Sequence, residues 1–163
     1  MSEIVLQFCS FHSFLGRAIP WFTQGKIGHV DAVLPSGGLL GAQASCKFGT
    51  LSGVQVRAEG YGEMHSRVRV YLPCSAQEYE LWLDFLYFQL GKPYDVIAIA
   101  AFVTGRDWRD PSAWFCSELQ AAGLEECGVF PKLYTPANKV TPNALLLACS
   151  VLARQVEELE DLR

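Results

Sequence analysis

Alternating apolar and polar positions dominate the first half of the chain. The alternation predicts β-strands over residues 4–8, 27–34, 39–44, 54–57 and 67–72. Between the second and third of these strands lies Pro35-Ser36-Gly37-Gly38, a cluster of turn-forming residues. The cluster predicts a hairpin, and the strands together predict an antiparallel sheet.

Apolar residues recur at helical spacing in the second half. They predict helices over 76–90, 95–103 and 116–127, and a last helix that starts at Thr141-Pro142 and ends in the charged residues 157–163. Ser75 and Glu78 have the spacing of a capping box at the first of these helices. We therefore expect an α+β fold, in which an antiparallel sheet packs against helices within a single domain spanning residues 1–163.

The amino-acid composition limits the kinds of molecule that such a domain is expected to bind. Half of the residues are hydrophobic and 18% are charged, which suits a packed core. A net charge of −4 without a basic block argues against nucleic acid as a partner. The apolar run 96–103 is far shorter than the roughly 18–20 residues that span a bilayer, and the N-terminal residues do not resemble a secretory signal. We expect a cytoplasmic protein without a membrane span.

The six cysteines are scattered singly, without the paired spacing of a zinc site. One of them, Cys116 in Trp-Phe-Cys-Ser-Glu-Leu, opens a predicted helix. Unpaired N–H groups and the helix dipole favour a thiolate at that position, so Cys116 is a candidate nucleophile. The alternative is a small buried hydrophobic residue, as most free cysteines are.

A thiol nucleophile needs a base, and His29 in Gly-His-Val-Asp-Ala-Val is the best placed histidine because a strand fixes its direction. The two-residue period puts Asp31 and Val33 on the same face as His29. If residues 35–37 form the loop, Val33 faces Leu39 and His29 faces Gln43, whose amide can orient the imidazole. The alternative is a half-buried strand histidine bonded to the backbone.

These segments, with Leu-Gly-Lys-Pro-Tyr-Asp at residues 90–95, resemble the circularly permuted papain-like amidases, the YaeF/YiiX branch of the NlpC superfamily. In that branch the histidine strand precedes the cysteine helix, as it does in this chain. The resemblance covers roughly residues 10–140 and rests on short motifs rather than on one long signature.

The resemblance implies Cys116 as nucleophile and His29 as general base. The third polar residue of the family is commonly acidic, whereas the matching position here is Gln43. Tyr94 matches the tyrosine of the family motif and, with Trp21, is expected to wall the substrate cleft. Asp31 is assigned to substrate binding, with an orienting role at His29 or a solvated carboxylate as alternatives.

The function implied is a cysteine hydrolase that cleaves an amide or peptide bond through an acyl-enzyme. Cell-wall peptides or related amides are the substrate class that the resemblance implies. No metal or organic cofactor is called for, and no oligomeric state is indicated. Two alternatives remain open at this point: an acyltransferase that uses the same thiol, and a weakly catalytic or non-catalytic binding module, favoured by glutamine in place of an acid.

Overall fold

The fold is built on a six-stranded antiparallel sheet. A computed structural model describes residues 2–11, 25–44, 52–62, 64–95 and 112–159. Within them the strands are β1 (Ser2–Phe11), β2 (His29–Val33), β3 (Leu39–Gln43), β4 (Gly53–Arg57), β5 (Met64–Cys74) and β6 (Gln155–Leu159). Their order across the sheet is β4-β3-β2-β1-β5-β6. The α+β architecture expected from the sequence is confirmed.

The helices in the described part of the chain are α1 (Ala76–Phe88), α2 (Cys116–Glu126) and α3 (Pro142–Leu152), with a short 3-10 helix at Ala137–Lys139. The predicted capping box of α1 is confirmed, because the Ser75 hydroxyl accepts from the Glu78 N–H and the Glu78 carboxylate accepts from the Ser75 N–H. Thr141 caps α3 in the predicted way. The helix predicted over 95–103 lies almost entirely outside the described residues.

The predicted hairpin and its register are confirmed. Val33 pairs with Leu39 across β2 and β3, and the Leu34 N–H donates to the Gly38 carbonyl at 2.8 Å. Gly37 has a φ of 81°, which glycine adopts without the steric cost that a side chain brings. Because the turn fixes the register, the side-chain direction of every residue in β2 is fixed with it.

The main core lies between the sheet and the helices. Alternate residues of β1 and β2, among them Phe8 and Val30, pack in one buried cluster with Trp82 of α1, Leu119 of α2 and Leu145 of α3. A smaller buried cluster contains Cys9, Phe11, Leu39 and Met64. Helix α2 is tied directly to the sheet, because the Gln120 side-chain amide donates to the Leu40 carbonyl at 3.0 Å.

The helical end predicted for residues 157–163 was wrong over 157–159, and the remaining residues lie outside the described part of the chain. Helix α3 stops at Leu152, and β6 pairs with β5. The acidic residue Glu157 pairs with Arg69 and accepts a hydrogen bond from the Tyr71 hydroxyl at 2.7 Å. The Glu157 carboxylate thus has favourable partners on the neighbouring strand.

Candidate active site

Cys116 is the first residue of α2 and is fully buried. The extended residue before it, Phe115, is the N-cap, and its N–H donates to the Glu118 carboxylate at 3.3 Å. The Ser117 hydroxyl donates to the Val140 carbonyl at 2.6 Å and anchors the same turn. N–H groups in the first turn have no acceptor within the helix, so the Cys116 thiol lies at the positive end of the helix dipole.

Residues 91–95 form backbone hydrogen bonds both with β4 and with Trp114, which lies just before α2. The Val54 N–H donates to the Lys92 carbonyl at 2.9 Å, and the Trp114 N–H donates to the Pro93 carbonyl at 3.0 Å. The Asp95 N–H in turn donates to the Trp114 carbonyl at 3.1 Å. These backbone bonds fix where α2 begins relative to the sheet.

Gly53 allows the close approach of this segment. Its φ is 114°, and a Cβ at this position would overlap the Lys92 carbonyl oxygen. Tyr94, in the same segment, is buried in the core, and its ring centroid lies 5.8 Å from that of Phe115. Tyr94 therefore packs against the residue that precedes the thiol.

His29 is the first residue of β2 and is 4% exposed. It pairs with Cys9 of β1, in the middle of the sheet. Asp31, two residues further along the same strand, is 1% exposed and places its Oδ1 atom 3.0 Å from Nε2 of His29. The shared face predicted for His29 and Asp31 is confirmed, and it brings a buried carboxylate onto the ring.

Tyr61, between β4 and β5, completes the environment of Nε2. Its hydroxyl donates to Oδ2 of Asp31 at 2.5 Å, and the hydroxyl oxygen lies 2.9 Å from Nε2 of His29. Since the single hydroxyl proton points at Asp31, the oxygen accepts from the ring N–H. The flanking Gly60 and Gly62 both have positive φ values, which allows the tight loop that carries Tyr61.

The Cys116 thiol lies near enough to His29 to contribute, by hydrogen bonding and by charge, to the raised pKa of the ring. Because Nε2 faces Asp31 and Tyr61, Nδ1 is the ring nitrogen left for the sulfur. The Asp31 carboxylate and the Cys116 thiol therefore both act on the His29 imidazole. This is the geometry in which a histidine takes a thiol proton while an acid stabilises the resulting imidazolium.

The electrostatics of the site favour a charged ring. Burial lowers the pKa of His29, but the charge of Asp31 and hydrogen bonds with Asp31 and Cys116 outweigh it and raise the pKa from 6.5 to about 10. Burial raises the pKa of Asp31, whereas the charge of His29, hydrogen bonds with His29 and Tyr61 and the charge of Arg57 bring it below 3.8. At neutral pH the pair is therefore imidazolium and carboxylate.

Gly41 on β3 leaves the space that the Asp31 carboxylate occupies. A Cβ at position 41 would overlap Oδ1 of Asp31. On the same side, the Arg57 guanidinium donates to the Gly41 carbonyl at 3.0 Å and stacks over the Tyr61 ring at 5.3 Å. A glycine and an arginine that the sequence did not single out thus help to shape the site.

The predicted site residues fall in different places. The structure brings Cys116, His29 and Asp31 together. Gln43 is half-buried at the end of β3, and within the described residues no hydrogen bond joins its side chain to His29, so its orienting role stays a prediction. A solvated Asp31 is wrong, since the carboxylate is buried against the ring. Trp21 lies outside the described residues.

Besides Arg57, sequence reasoning missed two site residues, Tyr61 and Gly41. The signal for Tyr61 is a lone aromatic between two glycines in a turn, which is a weak pattern by itself. Gly41 carries a signal only once the hairpin register is accepted, because that register sets it beside Asp31. Both depend on contacts between elements that are distant in sequence.

The residues that the structure describes contain neither clustered metal ligands nor a long apolar helix. Among these residues, no group of three or more His, Cys, Asp or Glu side chains is arranged to hold a metal ion. Nor does this part of the chain contain a helix with the length and apolar character that crossing a bilayer requires.

Comparison with solved structures bears on the fold. The chain superimposes on the crystal structure of the metalloprotein YiiX from Escherichia coli O157:H7 with a TM-score of 0.62. The match covers 99% of this chain and 97% of the YiiX chain. The chain has the fold of YiiX.

The sequences of the two proteins have diverged widely, at 16% identity. No family model matches the chain, and no curated protein sequence matches it. The structural superposition on YiiX confirms, at the level of the fold, the resemblance to the YiiX branch that the short motifs indicate.

Proposed function

We propose that this protein is a cysteine hydrolase that cleaves an amide or peptide bond. The observation that carries the proposal is the buried array in which Asp31 contacts Nε2 of His29 and the Cys116 thiol lies near the same ring. A nucleophile, a proton carrier and a group that orients the carrier are the parts that thiol catalysis needs. The resemblance of the Cys116 and His29 segments to the permuted papain-like amidases supports the same class of chemistry.

The reaction follows from these positions. The Cys116 sulfur, as thiolate, forms a bond to the carbonyl carbon, and first-turn N–H groups of α2 hold the developing oxyanion. The C–N bond then breaks as the His29 imidazolium gives its proton to the leaving amine. Water, deprotonated by the neutral ring, adds to the thioester, which releases the acid and restores thiolate and imidazolium.

Asp31 supports an enzyme over a non-catalytic module. The glutamine at position 43 removes an acid from the expected third position, but a buried carboxylate reaches the ring from position 31. An acid that stabilises the imidazolium has no evident use in a groove that only binds. Peptide or amide-containing substrates of small size remain the proposed partners, with cell-wall peptides as one candidate class.

Acylation by p-nitrophenyl acetate and by a panel of peptide amides tests the proposal, with intact-protein mass spectrometry as the readout. We expect an acyl adduct on the wild type and none on Cys116→Ser. His29→Gln should slow acylation by about 10²–10⁴-fold, the usual contribution of a general base. Cys149→Ser is the matched control, because burial raises the pKa of Cys149 to about 12 and keeps that thiol protonated. Adducts that persist in Cys116→Ser would contradict the proposal.

The full burial of Cys116 favours a second candidate, an acyltransferase. A thioester shielded from water survives until an alcohol or amine reaches it, and the product is then an ester or amide instead of an acid. Isolated acyl-enzyme distinguishes the two activities. Decay in buffer alone supports the hydrolase, whereas decay only after addition of a primary alcohol or amine supports the transferase.

A further inference from the structure

We propose that Tyr61 is a positioning residue, which holds the Asp31–His29 pair so that the ring presents its other nitrogen to Cys116. The inference rests on the proposed thiol chemistry and adds a residue to it. Tyr61 contacts neither the sulfur nor any reacting atom in this arrangement, so it acts through Asp31 and His29.

The geometry assigns two bonds to one hydroxyl. Donation to Oδ2 of Asp31 at 2.5 Å fixes the plane of the carboxylate, and acceptance from Nε2 of His29 at 2.9 Å fixes the tilt of the ring. Asp31 contacts the ring through its other oxygen at 3.0 Å. Three groups therefore constrain one another in a triangle, which resists rotation better than a single carboxylate–imidazole contact does.

The surroundings hold the tyrosine itself in place. Its ring centroid lies 5.7 Å from that of Phe11 and 6.5 Å from the His29 ring, and the Arg57 guanidinium covers it at 5.3 Å. An anchored phenol loses little conformational freedom when it bonds to Asp31 and His29. The hydrogen bonds of its hydroxyl then orient Asp31 and His29.

Several charged and titratable groups face Asp31 and enter any pH-dependent readout. They come from every element packed around it: His29 of β2, Arg57 of β4, Cys9 of β1, the Tyr61 loop and, through the ring, Cys116 of α2. Among them, Tyr61 and Arg57 stabilise the carboxylate without belonging to the thiol–imidazole couple. Removal of the Tyr61 hydroxyl therefore raises the pKa of Asp31.

Tyr61→Phe tests the role, with Tyr71→Phe as the matched control. Tyr71 also donates to a carboxylate, that of Glu157, at 2.7 Å in the β5–β6 pair. We expect Tyr61→Phe to slow acylation of Cys116 by p-nitrophenyl acetate by about tenfold, the loss of one hydrogen bond to a charged group. The acid limb of the acylation rate should move to higher pH in this variant and stay in place in Tyr71→Phe.

A measurement on the wild type keeps the inference testable if Tyr61→Phe does not fold. During an acid titration followed by NMR, the ¹³Cζ signal of Tyr61 and the ¹⁵Nε2 signal of His29 should move together as Asp31 takes up a proton. Independent transitions would overturn the inference, as would a Tyr61→Phe variant whose acylation rate and acid limb match the wild type. A wild type that forms no adduct on Cys116 would instead overturn the proposed function, and this inference with it.

Discussion

Gly41 on β3 lies beside Asp31 on β2, and the Asp31 carboxylate occupies the space that a side chain at position 41 would fill. Gly41→Ala puts a methyl group where Oδ1 of Asp31 now lies. We expect the displaced carboxylate to lower the pKa of His29, and the overpacking to cost about 1–3 kcal/mol in the free energy of unfolding. An NMR titration of the His29 ring and urea unfolding measure the two effects.

A double-mutant cycle isolates the cause of this cost. In an Asp31→Ala background the carboxylate is gone, so the added methyl of Gly41→Ala has space and should cost much less. An equal cost in both backgrounds would mean that the methyl group clashes elsewhere and that Gly41 does not serve Asp31.

Single residues differ in how far the sequence reveals them. Cys116 and His29 emerge from local patterns, a helix start and a strand, which can be recognised from a few neighbouring positions. The burial of Asp31 is set by what covers β2, namely β3 and the loop with Tyr61, and no local pattern encodes that cover. The carboxylate was therefore open to interpretation as solvated, although its face of the strand was predicted.

The segment 91–95 and β4 meet so closely at Gly53 that a side chain there would move the start of α2. Gly53→Ala combines a positive φ, which costs about 1–2 kcal/mol for a residue with a Cβ, with overlap on the Lys92 carbonyl. We expect slower acylation of Cys116 as well as lower stability. Acylation kinetics with p-nitrophenyl acetate and urea unfolding report the two quantities separately.

Gly37→Ala is the control for Gly53→Ala. Gly37 also has a positive φ, but no atom lies within 4 Å of a Cβ built there. The substitution should cost only the backbone strain, about 1–2 kcal/mol, and leave acylation unchanged. Equal acylation in the two variants would show that the approach of residues 91–95 does not set the position of Cys116.

Helix ends and hairpins were predictable because their signals are local. Ser75 with Glu78, Thr141 with Pro142 and the turn at residues 35–38 each state a boundary within four positions of sequence. Strand β6 has no such signal, since Glu157 finds its partners, Arg69 opposite it and the Tyr71 hydroxyl, only on a strand far earlier in the chain. Elements stabilised by distant partners are those that a pattern along the chain misses.

The stability of the whole molecule should depend on pH through His29. Its pKa is 6.5 in the unfolded chain and about 10 in the folded protein, so folding favours the protonated ring. The stabilisation is complete below about pH 6.5 and is lost as the pH rises through about 10. Urea unfolding across this window should show the wild type losing stability relative to His29→Gln. Parallel curves for the two proteins would contradict the shifted pKa.

At acid pH, the stability of the protein should depend on Asp31 and should fall as the pH falls. The pKa of Asp31 is lowered on folding, so its contribution is present above the ordinary value of 3.8 and disappears as the pH falls through the folded value. The wild type should therefore lose stability on acidification relative to Asp31→Asn, because the asparagine does not titrate. The same urea titration, extended below pH 4, compares the two.

The fold brings His29, on an early strand, near Cys116, which is translated much later, after β3, β4, β5 and α1. On the ribosome, His29 and Asp31 therefore emerge long before Cys116, and a buried ion pair has no complete shelter until α2 docks. Chains that terminate before Cys116, the first residue of α2, would leave the Asp31 carboxylate and the His29 imidazole without that cover.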